Sequence, residues 1–380
     1  MEVDYMKRRY IAVIASFLGV LLFFSVTFFI SPDKDVSASE RRKLIQFSTY
    51  SEQKALKGED YDLSDYFSFL ESYALDQFPI RDSFRSLKAM FKKYVLFQKD
   101  NNGYYLADGT LSRIDETLNE KAVSDSVSHF NTLYEMYFKD TDAAVYYSII
   151  PDKNYFIAEK NGYMHYDYDE MYEMTAALLD KNITGISIRN MLSVKDYYVT
   201  DPHWDQANIL PIADKLLSAM ECEGLASDHN WNTSELSPFY GTYYGQAALP
   251  ISADTLTYLT GEALEGVTVF DHSSQKTVGI YDENDFSNVD PYDVFLGGAL
   301  PLLTISNPNQ QNGKQLVLFR DSFGSSIAPL LVSEYSEVVV VDIRYISPKF
   351  IGNMVEFQND CDVLFLYSTS VLNTYGIFAG

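Results

Sequence analysis

Residues 10–30, YIAVIASFLGVLLFFSVTFFI, carry no charged side chain. As an α-helix rising about 1.5 Å per residue, this segment would cover roughly 30 Å, the thickness of the hydrocarbon core of a bilayer. Lys7, Arg8 and Arg9 directly precede it, and basic residues next to a membrane helix stay in the cytoplasm. The sequence therefore predicts a cytoplasmic tail (1–9), a transmembrane anchor (10–30) and an extracytoplasmic remainder.

A cleaved signal peptide is the alternative interpretation of this segment. Val36, Ser37 and Ala38 form a small-residue stretch that a signal peptidase could recognise. The apolar part of a signal peptide usually spans only about 7–15 residues, however. We therefore expect an uncleaved, single-pass anchor, and both interpretations place the globular part outside the cytoplasm.

Charge and cysteine content exclude several classes of protein. The formal net charge is −24, which argues against nucleic-acid binding, because phosphate contacts need a basic surface. The two cysteines, Cys222 and Cys361, form no C-x-x-C motif, so a zinc ribbon or a thioredoxin-like site is not expected. Whether they pair or remain free thiols stays open. The 30 Tyr and 25 Phe residues fit either half-buried strands or a surface that faces sugars.

After the anchor, the pattern predicts two regions. Residues 31–100 are expected to form a linker and a helical stalk, since apolar residues recur every three or four positions over 61–97, with a break at Pro79. Residues 101–380 alternate between apolar strands and helices. Strands are predicted at 144–150, 183–188, 315–319, 338–342 and 362–367. Helices are predicted at 115–139, 167–180, 205–222, 325–335 and 347–358.

Near-continuous apolar strands are typical of a parallel sheet that is covered on both faces. With helices between the strands, they predict an α/β fold, a three-layer sandwich around a parallel sheet. Residues 225–310 break the alternation with short β-like runs and scattered Asn, Ser and Gly. We interpret this segment as an insertion or cap.

The first candidate for chemistry is Ser322, in the segment QLVLFRDSFGSSIAPLL. It follows a buried strand and precedes a helix, and active sites of open α/β sheets lie beyond the carboxyl ends of the strands. The amides at a helix N-terminus can stabilise negative charge, including that of an oxyanion. A serine helix cap is the alternative role for Ser322.

The second candidate is the segment Asp201-Pro202-His203-Trp204. A serine hydroxyl needs a base within hydrogen-bond reach, and imidazole suits that role near neutral pH. A carboxylate on the other ring nitrogen fixes the tautomer, which Asp201 is close enough in sequence to do. A surface histidine next to ordinary helix caps is the alternative. Asp201, His203, Asp205 and Asp321 lack the spacing of a known metal site, so neither a metal nor a cofactor is expected.

The segment T-D-P-H-W resembles the signature of the DHHW family, which is similar to the SGNH-hydrolase-like alginate O-acetylation proteins. Further blocks follow in the order of that family: SASERRKL, DQFPIRD (76–82), IPDK (150–153), RDSF (320–323) and VDIRY (341–345). The resemblance covers most of the chain after the anchor. It implies an SGNH-type fold, with about five parallel strands flanked by helices. It also implies that Asp201, His203 and Ser322 are the acid, base and nucleophile of a triad.

Two departures from the family pattern concern the same blocks. Pro202 stands where the family has a second histidine, and Arg320 stands where SGNH enzymes have a small residue. Arg320 could crowd the oxyanion region or bind an anionic group. The candidates for oxyanion or substrate contacts are therefore Gly324, Gly241, Arg320 and Trp204, and the second oxyanion donor is not assigned.

These observations predict an acyl-ester enzyme at the cell surface. The resemblance favours an O-acetyltransferase, which would take an acetyl group from an acyl donor to a cell-surface polysaccharide, with a multispanning acyltransferase as its membrane partner. A carbohydrate acetylesterase shares the first half-reaction. A third alternative is a non-catalytic protein that keeps the fold and binds glycan or an assembly partner.

Overall fold

A computed structural model describes residues 2–379 of the chain, with only the backbone given for residues 2–4. The chain divides into two compact units. The first comprises residues 2–98 with 248–250, and the second comprises residues 99–247 with 251–379. Each is described separately below.

The first unit is mainly helical. The long apolar helix and the helices predicted for the stalk are both present, and the break near Pro79 separates two helices. Its helices and strands are α1 (Glu2–Ile30), β1 (Val36–Ser37), β2 (Arg42–Lys43), α2 (Tyr50–Lys57), α3 (Leu63–Asp76) and α4 (Arg81–Tyr94).

The region predicted as a linker contains regular structure. Strands β1 and β2 pair with each other, and α2 begins with a capping box formed by Thr49 and Glu52. Arg42 donates two hydrogen bonds to the Asp76 carboxylate, at 2.8 and 2.5 Å, and this pairing holds the pKa of Asp76 below its usual value. Arg81 forms an ion pair with Glu40 at 2.5 Å. The SASERRKL and DQFPIRD blocks therefore meet through charged side chains.

The second unit contains the remaining elements. Its strands and helices are β3 (Tyr104–Ala107), β4 (Thr110–Arg113), α5 (Glu120–Tyr137), β5 (Ala144–Ile150), α6 (Lys153–Ile157), α7 (Tyr168–Leu178), β6 (Ile183–Gly185), α8 (Leu210–Ala219), β7 (Asn232–Phe239), α9 (Thr242–Ala247), β8 (Asp254–Thr260), β9 (Thr268–Asp271), β10 (Lys276–Val278), β11 (Leu302–Ser306), β12 (Gln315–Arg320), α10 (Phe323–Leu331), β13 (Glu337–Val341), α11 (Pro348–Ile351), β14 (Asp362–Ser368) and α12 (Thr369–Leu372).

A mixed sheet forms the centre of this unit. Within residues 2–379 its order is β10-β9-β11-β13-β12-β14-β5-β6. The strands from β13 to β6 run parallel to their neighbours, as predicted. The strands β11, β9 and β10 pair in the antiparallel sense. The fold is therefore α/β with a large, mostly parallel sheet.

Apolar side chains cover both faces of the sheet. In β12, Leu316 and Leu318 pack in a core cluster with side chains of α8 and α10. The alternate residues Val317 and Phe319 pack in a second cluster with side chains of α5 and α7. Successive strand residues point to opposite faces, which explains why the central strands have continuous apolar sequences.

Two predictions about this unit need correction. The segment 225–310 is not only an insertion, because it supplies β9, β10 and β11 to the main sheet and the β7–β8 hairpin beside it. Its strands are too short for their sequences to show a clear hydrophobic periodicity. The helix predicted over 347–358 is limited to α11, which has four residues and is followed by Gly352 as its C-terminal cap. Val355 and Phe357 nevertheless pack against the second core cluster, so the apolar pattern there reflects burial without a helix.

Candidate active site

Ser322 lies in the turn between β12 and α10, at the carboxyl end of the parallel strands. The preceding residue, Asp321, is fully buried. Its carboxylate accepts hydrogen bonds from the backbone N–H of Phe323 at 3.0 Å and of Ser368, the last residue of β14, at 2.8 Å. Asp321 therefore fixes the turn to the neighbouring strand, while Ser322 itself remains half-buried.

His203 and Asp201 come from a loop more than a hundred residues earlier and reach the same turn. Ser322 Oγ lies 2.7 Å from His203 Nε2, and His203 Nδ1 lies 2.6 Å from Asp201 Oδ1. A carboxylate can only accept hydrogen bonds, so Nδ1 carries the proton and donates. That leaves Nε2 to accept the hydroxyl proton of Ser322. The structure brings all three sequence-predicted residues together in one hydrogen-bonded chain.

The Asp201 carboxylate is completely buried and has a partner on each oxygen. Oδ1 also accepts the backbone N–H of His203 at 3.2 Å. Oδ2 accepts the backbone N–H of Thr242 at 3.0 Å and its hydroxyl at 3.4 Å. Buried carboxylates with several donors are held in one orientation. Thr242 opens α9, which lies in the segment predicted as an insertion.

Gly241 has a different role from the one predicted. Its N–H donates to Thr200 Oγ1 at 2.8 Å, so it is not available as an oxyanion donor in this arrangement. A Cβ at this position would lie 2.3 Å from both Asp201 Cβ and Thr200 O. Gly241 is therefore required for the close approach of two backbones beside the triad carboxylate.

Replacing Gly241 with alanine is expected to displace Asp201, because both clashing neighbours are rigid parts of the same loop. We expect acyl-ester turnover to fall by more than about tenfold, since misplaced catalytic groups cost large factors. The measurement is the rate of hydrolysis of a chromogenic acetate ester alongside the melting temperature. Gly19→Ala, in helix α1, is the control for the mutation itself, because nothing lies within 4 Å of a Cβ there and no positive φ opposes the substitution. Full activity of Gly241→Ala would contradict the packing argument.

The loop that carries Asp201 is held from two sides by charged residues. The Asp254 carboxylate accepts the backbone N–H groups of Val199 and Thr200 at 2.9 and 2.7 Å. From the other side, Lys153 Nζ donates to the carbonyl oxygens of Tyr198 and Val199 at 2.8 and 3.1 Å. Both residues therefore position the loop that carries Asp201 without contacting Ser322. Lys153 belongs to the IPDK block, for which the sequence predicts no role.

Lys153 is almost completely buried, and desolvation lowers the pKa of its ammonium group from 10.5 to about 7. Because the folded pKa is below the unfolded value, the unfolded chain holds a proton between pH 7 and 10.5 that the folded chain has lost. The free energy of unfolding should therefore rise with pH in this window. At about 1.4 kcal/mol per pKa unit, the rise is on the order of 5 kcal/mol.

This pH dependence can be measured by denaturant unfolding of the full chain and of Lys153→Met at several pH values from 7 to 10.5. The difference in unfolding free energy between the two proteins is expected to grow with pH in favour of the native chain. Tyrosines with raised pKa values are common to both proteins, so their effect cancels. A difference that stays constant would show that Lys153 keeps its proton in the folded protein.

Trp204 and Tyr292 form the walls behind His203. Trp204 is fully buried and donates from Nε1 to Ser326 Oγ at 2.8 Å. Tyr292 donates its hydroxyl to the same oxygen at 2.8 Å, and its ring stacks on His203 with 3.9 Å between centroids. Trp204, a predicted substrate contact, is therefore a structural support with no surface open to a substrate.

Arg320 and Gly324 also differ from prediction. Arg320 is fully buried; it pairs with Asp342 at 3.4 Å and donates to the Gly298 carbonyl at 3.3 Å. It cannot bind an anion from solvent. A Cβ at Gly324 would lie 2.4 Å from Arg320 Cβ, so the glycine lets α10 approach β12. The Gly324 N–H donates to the Asp321 carbonyl and is not an available oxyanion donor.

The contacts leave the backbone N–H of Ser322 as a candidate oxyanion donor. The backbone N–H of Ser322 makes no hydrogen bond to any of residues 2–379, and it lies at the N-terminal end of α10, where the helix dipole favours negative charge. Backbone amides at such positions stabilise the oxyanion of an acyl-transfer intermediate. The second donor remains unassigned.

Asp205 and Asp321, two carboxylates of the set compared with metal sites in the sequence, have other partners. Asp205 accepts from Thr257 and from the N–H of Ala207, and Asp321 holds the nucleophile turn. Within residues 2–379, no group of three or more His, Cys, Asp or Glu residues converges as metal ligands do. Cys222 and Cys361 are free thiols, so the open question of their pairing is answered for this structure.

Sequence reasoning missed Thr242, Tyr292, Ser326 and Asp254, which support the three central residues. Three of them lie in residues 225–310, where the pattern was irregular. Ser326 lies in the helix after Ser322 and had no distinguishing feature. No local sequence feature indicates these four residues, because each acts through a contact between distant parts of the chain.

Solved structures provide the comparison with known proteins. A DHHW family protein from Eubacterium siraeum matches with a TM-score of 0.59 and 21% identity, over 73% of this chain and 94% of that one. PatB1 of Bacillus cereus, in a structure with a sulfonyl adduct, matches with a TM-score of 0.57 and 17% identity, over 72% and 97% of the chains. The O-acetyltransferase domain of Pseudomonas putida AlgJ matches with a TM-score of 0.42 and 10% identity, over 72% and 92%.

No family model matches the sequence, and no curated protein matches it. At these identities, the likeness to the DHHW family protein and to PatB1 concerns the fold. The resemblance that the sequence motifs suggested is therefore matched by structure: the chain has the same fold as a DHHW family protein and as PatB1.

Proposed function

We propose that this protein is an acyl-ester enzyme with an SGNH-like catalytic unit, and that it transfers acetyl groups to a cell-surface polysaccharide. The single observation that carries the proposal is the continuous hydrogen-bonded chain from Ser322 through His203 to Asp201, with distances of 2.7 and 2.6 Å. Hydroxyl, imidazole and carboxylate in that order form the arrangement that activates a serine.

The reaction begins with transfer of the Ser322 hydroxyl proton to His203 Nε2 as Oγ attacks the carbonyl carbon of a donor acetyl ester. The Ser322 N–H stabilises the oxyanion of the tetrahedral intermediate. The bond from carbon to the donor oxygen then breaks, and that oxygen leaves with the proton from His203. An acetyl ester on Ser322 remains.

In the second half-reaction, a sugar hydroxyl gives its proton to His203 and attacks the acetyl carbonyl. The Ser322 ester breaks, and its oxygen recovers the proton. The buried Asp201 carboxylate stabilises the imidazolium in both halves, because its negative charge lies 2.6 Å from Nδ1. If water replaces the sugar hydroxyl, the same steps make the enzyme an acetylesterase.

Exposed aromatic rings that are close in sequence to residues supporting the site favour a carbohydrate acceptor. Tyr240 is 38% exposed and stands two residues before Thr242, which holds Asp201. Tyr345 is 54% exposed and follows β13, whose residue Val341 pairs with Phe319 three residues before Ser322. Rings with an exposed face and a polar hydroxyl suit amphipathic ligands such as sugars.

The proposed anchor is helix α1. Its segment Tyr5–Ile30 is long and apolar enough to cross a membrane, although a signal sequence would pass the same test. The basic residues before it favour an extracytoplasmic orientation of the catalytic unit. A membrane location would place the enzyme beside both surface polymers and membrane-borne acyl donors.

The experiment treats the full chain, in detergent, with a sulfonyl fluoride and maps the adduct by mass spectrometry. We expect stoichiometric modification of Ser322, a serine activated by His203, and none in Ser322→Ala. Ser370→Ala, which changes a serine outside the triad, is the matched control and should label normally. A folded chain that is not modified would favour the alternative, a non-catalytic glycan-binding protein.

The choice between transfer and hydrolysis needs a second measurement. The chain is incubated with a chromogenic acetate ester, with and without polysaccharide fragments. Transfer predicts acetylated fragments that accumulate faster than free acetate. Free acetate as the sole product at saturating fragment concentrations would identify an esterase.

A further inference from the structure

Helix α4 has its apolar side chains on the outside. Phe84, Leu87, Phe91 and Tyr94 are 41, 57, 51 and 63% exposed, and their spacing of three, four and three residues places them on one face of the helix. On the other side, Ala89 is fully buried. A helix on the surface of a water-soluble unit normally turns its apolar face inward. We call these four residues the apolar face of α4.

This face continues into a contact with the apolar helix α1. The ring of Phe24 lies 5.5 Å from the rings of both Phe78 and Phe84. One turn later, Phe28 lies 5.8 Å from Tyr73 in α3. Since Phe24 is six residues before the end of α1 at Ile30, the α3–α4 turn lies about 9 Å along the helix from that end. The α3–α4 turn is therefore next to the part of α1 that lipid would surround.

The charges of α4 fit the surface of an anionic bilayer. The helix has five basic residues and one acidic residue, Asp82, in a chain whose net charge is −24. Arg81 and Arg85 pair with Glu40. Lys88 and Lys92 remain next to Leu87 and Phe91 of the apolar face, whereas Lys93 follows the buried Ala89 by four residues and shares its side of the helix. An apolar face flanked by lysines is typical of helices that lie in the membrane interface.

We propose that the α3–α4 turn and the apolar face of α4 insert into the outer leaflet of the membrane that α1 spans, and that the lysines contact anionic phospholipid headgroups. The proposal depends on the membrane anchor and not on acyl chemistry. It explains why large apolar side chains are exposed on α4 while a small residue, Ala89, is buried. The second unit begins at Lys99, five residues after the helix ends, so a short stretch of chain connects α4 to it.

The test uses the full chain in nanodiscs of phosphatidylglycerol, with Cys222 and Cys361 replaced by alanine. A nitroxide is attached to a single new cysteine by Leu87→Cys or Phe91→Cys. Val20→Cys, in the middle of α1, reports on the anchor, and Asp140→Cys, on an exposed turn of the catalytic unit, reports on solvent. Collision of each nitroxide with oxygen, which concentrates in lipid, is compared with collision with an aqueous nickel chelate.

We expect the ratio of oxygen to nickel collisions at positions 87 and 91 to exceed that at position 140 by at least fivefold. Nickel access at 87 and 91 equal to that at 140, with position 20 in lipid, would overturn the proposal and leave the anchor intact. Protection from both reagents would mean that protein, such as a second copy, covers the face, and would also overturn it. Nickel access at position 20 would remove the anchor and the proposal together.

The proposed contact between the lysines of α4 and anionic headgroups is tested by a separate measurement. Lys88→Glu combined with Lys92→Glu is expected to lower the ratio at position 87 at least twofold in phosphatidylglycerol discs and to change it little in phosphatidylcholine discs. Lys57→Glu with Lys54→Glu, in the exposed helix α2, is the matched control for the same change of charge. Equal effects of both pairs would contradict a headgroup contact by α4.

Discussion

Replacing His203 with alanine is expected to slow acylation of Ser322 by about 10⁴-fold or more, because removing the base from a serine triad costs nearly as much as removing the serine. In this protein the hydroxyl has His203 Nε2 at 2.7 Å as its partner. Without the imidazole, the hydroxyl would keep its proton at neutral pH. The measurement is the rate of sulfonyl fluoride modification and of chromogenic ester hydrolysis.

The control for this prediction is His165→Ala. His165 is exposed and its ring contacts the carbonyl of Tyr166, so this variant should keep normal rates. Both variants should retain the melting temperature to within a few degrees. Unchanged modification of Ser322 in His203→Ala would show that the serine does not depend on the imidazole, and the proposed mechanism would then be wrong.

The parts of the fold that could be predicted are those encoded by local pattern. Strand β5 has the bounds predicted for it, β12 and β14 are one residue longer at one end, and β13 is shifted by one residue. Their apolar runs are continuous because both faces are buried, which is a property of each strand alone. The strands β9–β11 at the antiparallel side of the sheet are short, three to five residues, and their pairing depends on distant partners.

The residues of the candidate site likewise fall into those that local sequence predicts and those whose role depends on distant partners. Ser322, His203 and Asp201 were recognisable because each has a local context: a strand–turn–helix for the serine, and an acid two residues before the histidine. Gly241 and Gly324 are predicted from the sequence as candidates for oxyanion or substrate contacts. In the structure both glycines allow close packing, which depends on the positions of neighbouring atoms and cannot be inferred from the sequence. The sequence predicts that Arg320 crowds the oxyanion region or binds an anionic group. Its burial could not be inferred, because its partner Asp342 lies 22 residues later.

Replacing Asp201 with asparagine is expected to lower turnover by about 10⁴-fold, the loss seen when a triad carboxylate is made neutral. Oδ1 of Asp201 accepts from His203, and Oδ2 accepts from the Thr242 N–H. An asparagine must direct its NH₂ group to one of these donors. Directed at His203, the NH₂ forces the proton onto Nε2, which can then no longer accept the Ser322 proton. Directed at Thr242, it faces a backbone N–H and loosens the support of the loop.

Both orientations also remove the negative charge that stabilises the imidazolium, so the loss does not depend on which one forms. The steady-state rate of acetate-ester hydrolysis and the melting temperature are the measurements. Asp205→Asn is the matched control: Asp205 belongs to the same loop, but its carboxylate accepts from Thr257 and Ala207, so its rate should stay within about tenfold, as for a group outside the reacting chain. If Asp201→Asn were no slower than Asp205→Asn, the carboxylate would have no part in catalysis, and Ser322 and His203 would have to act as a dyad.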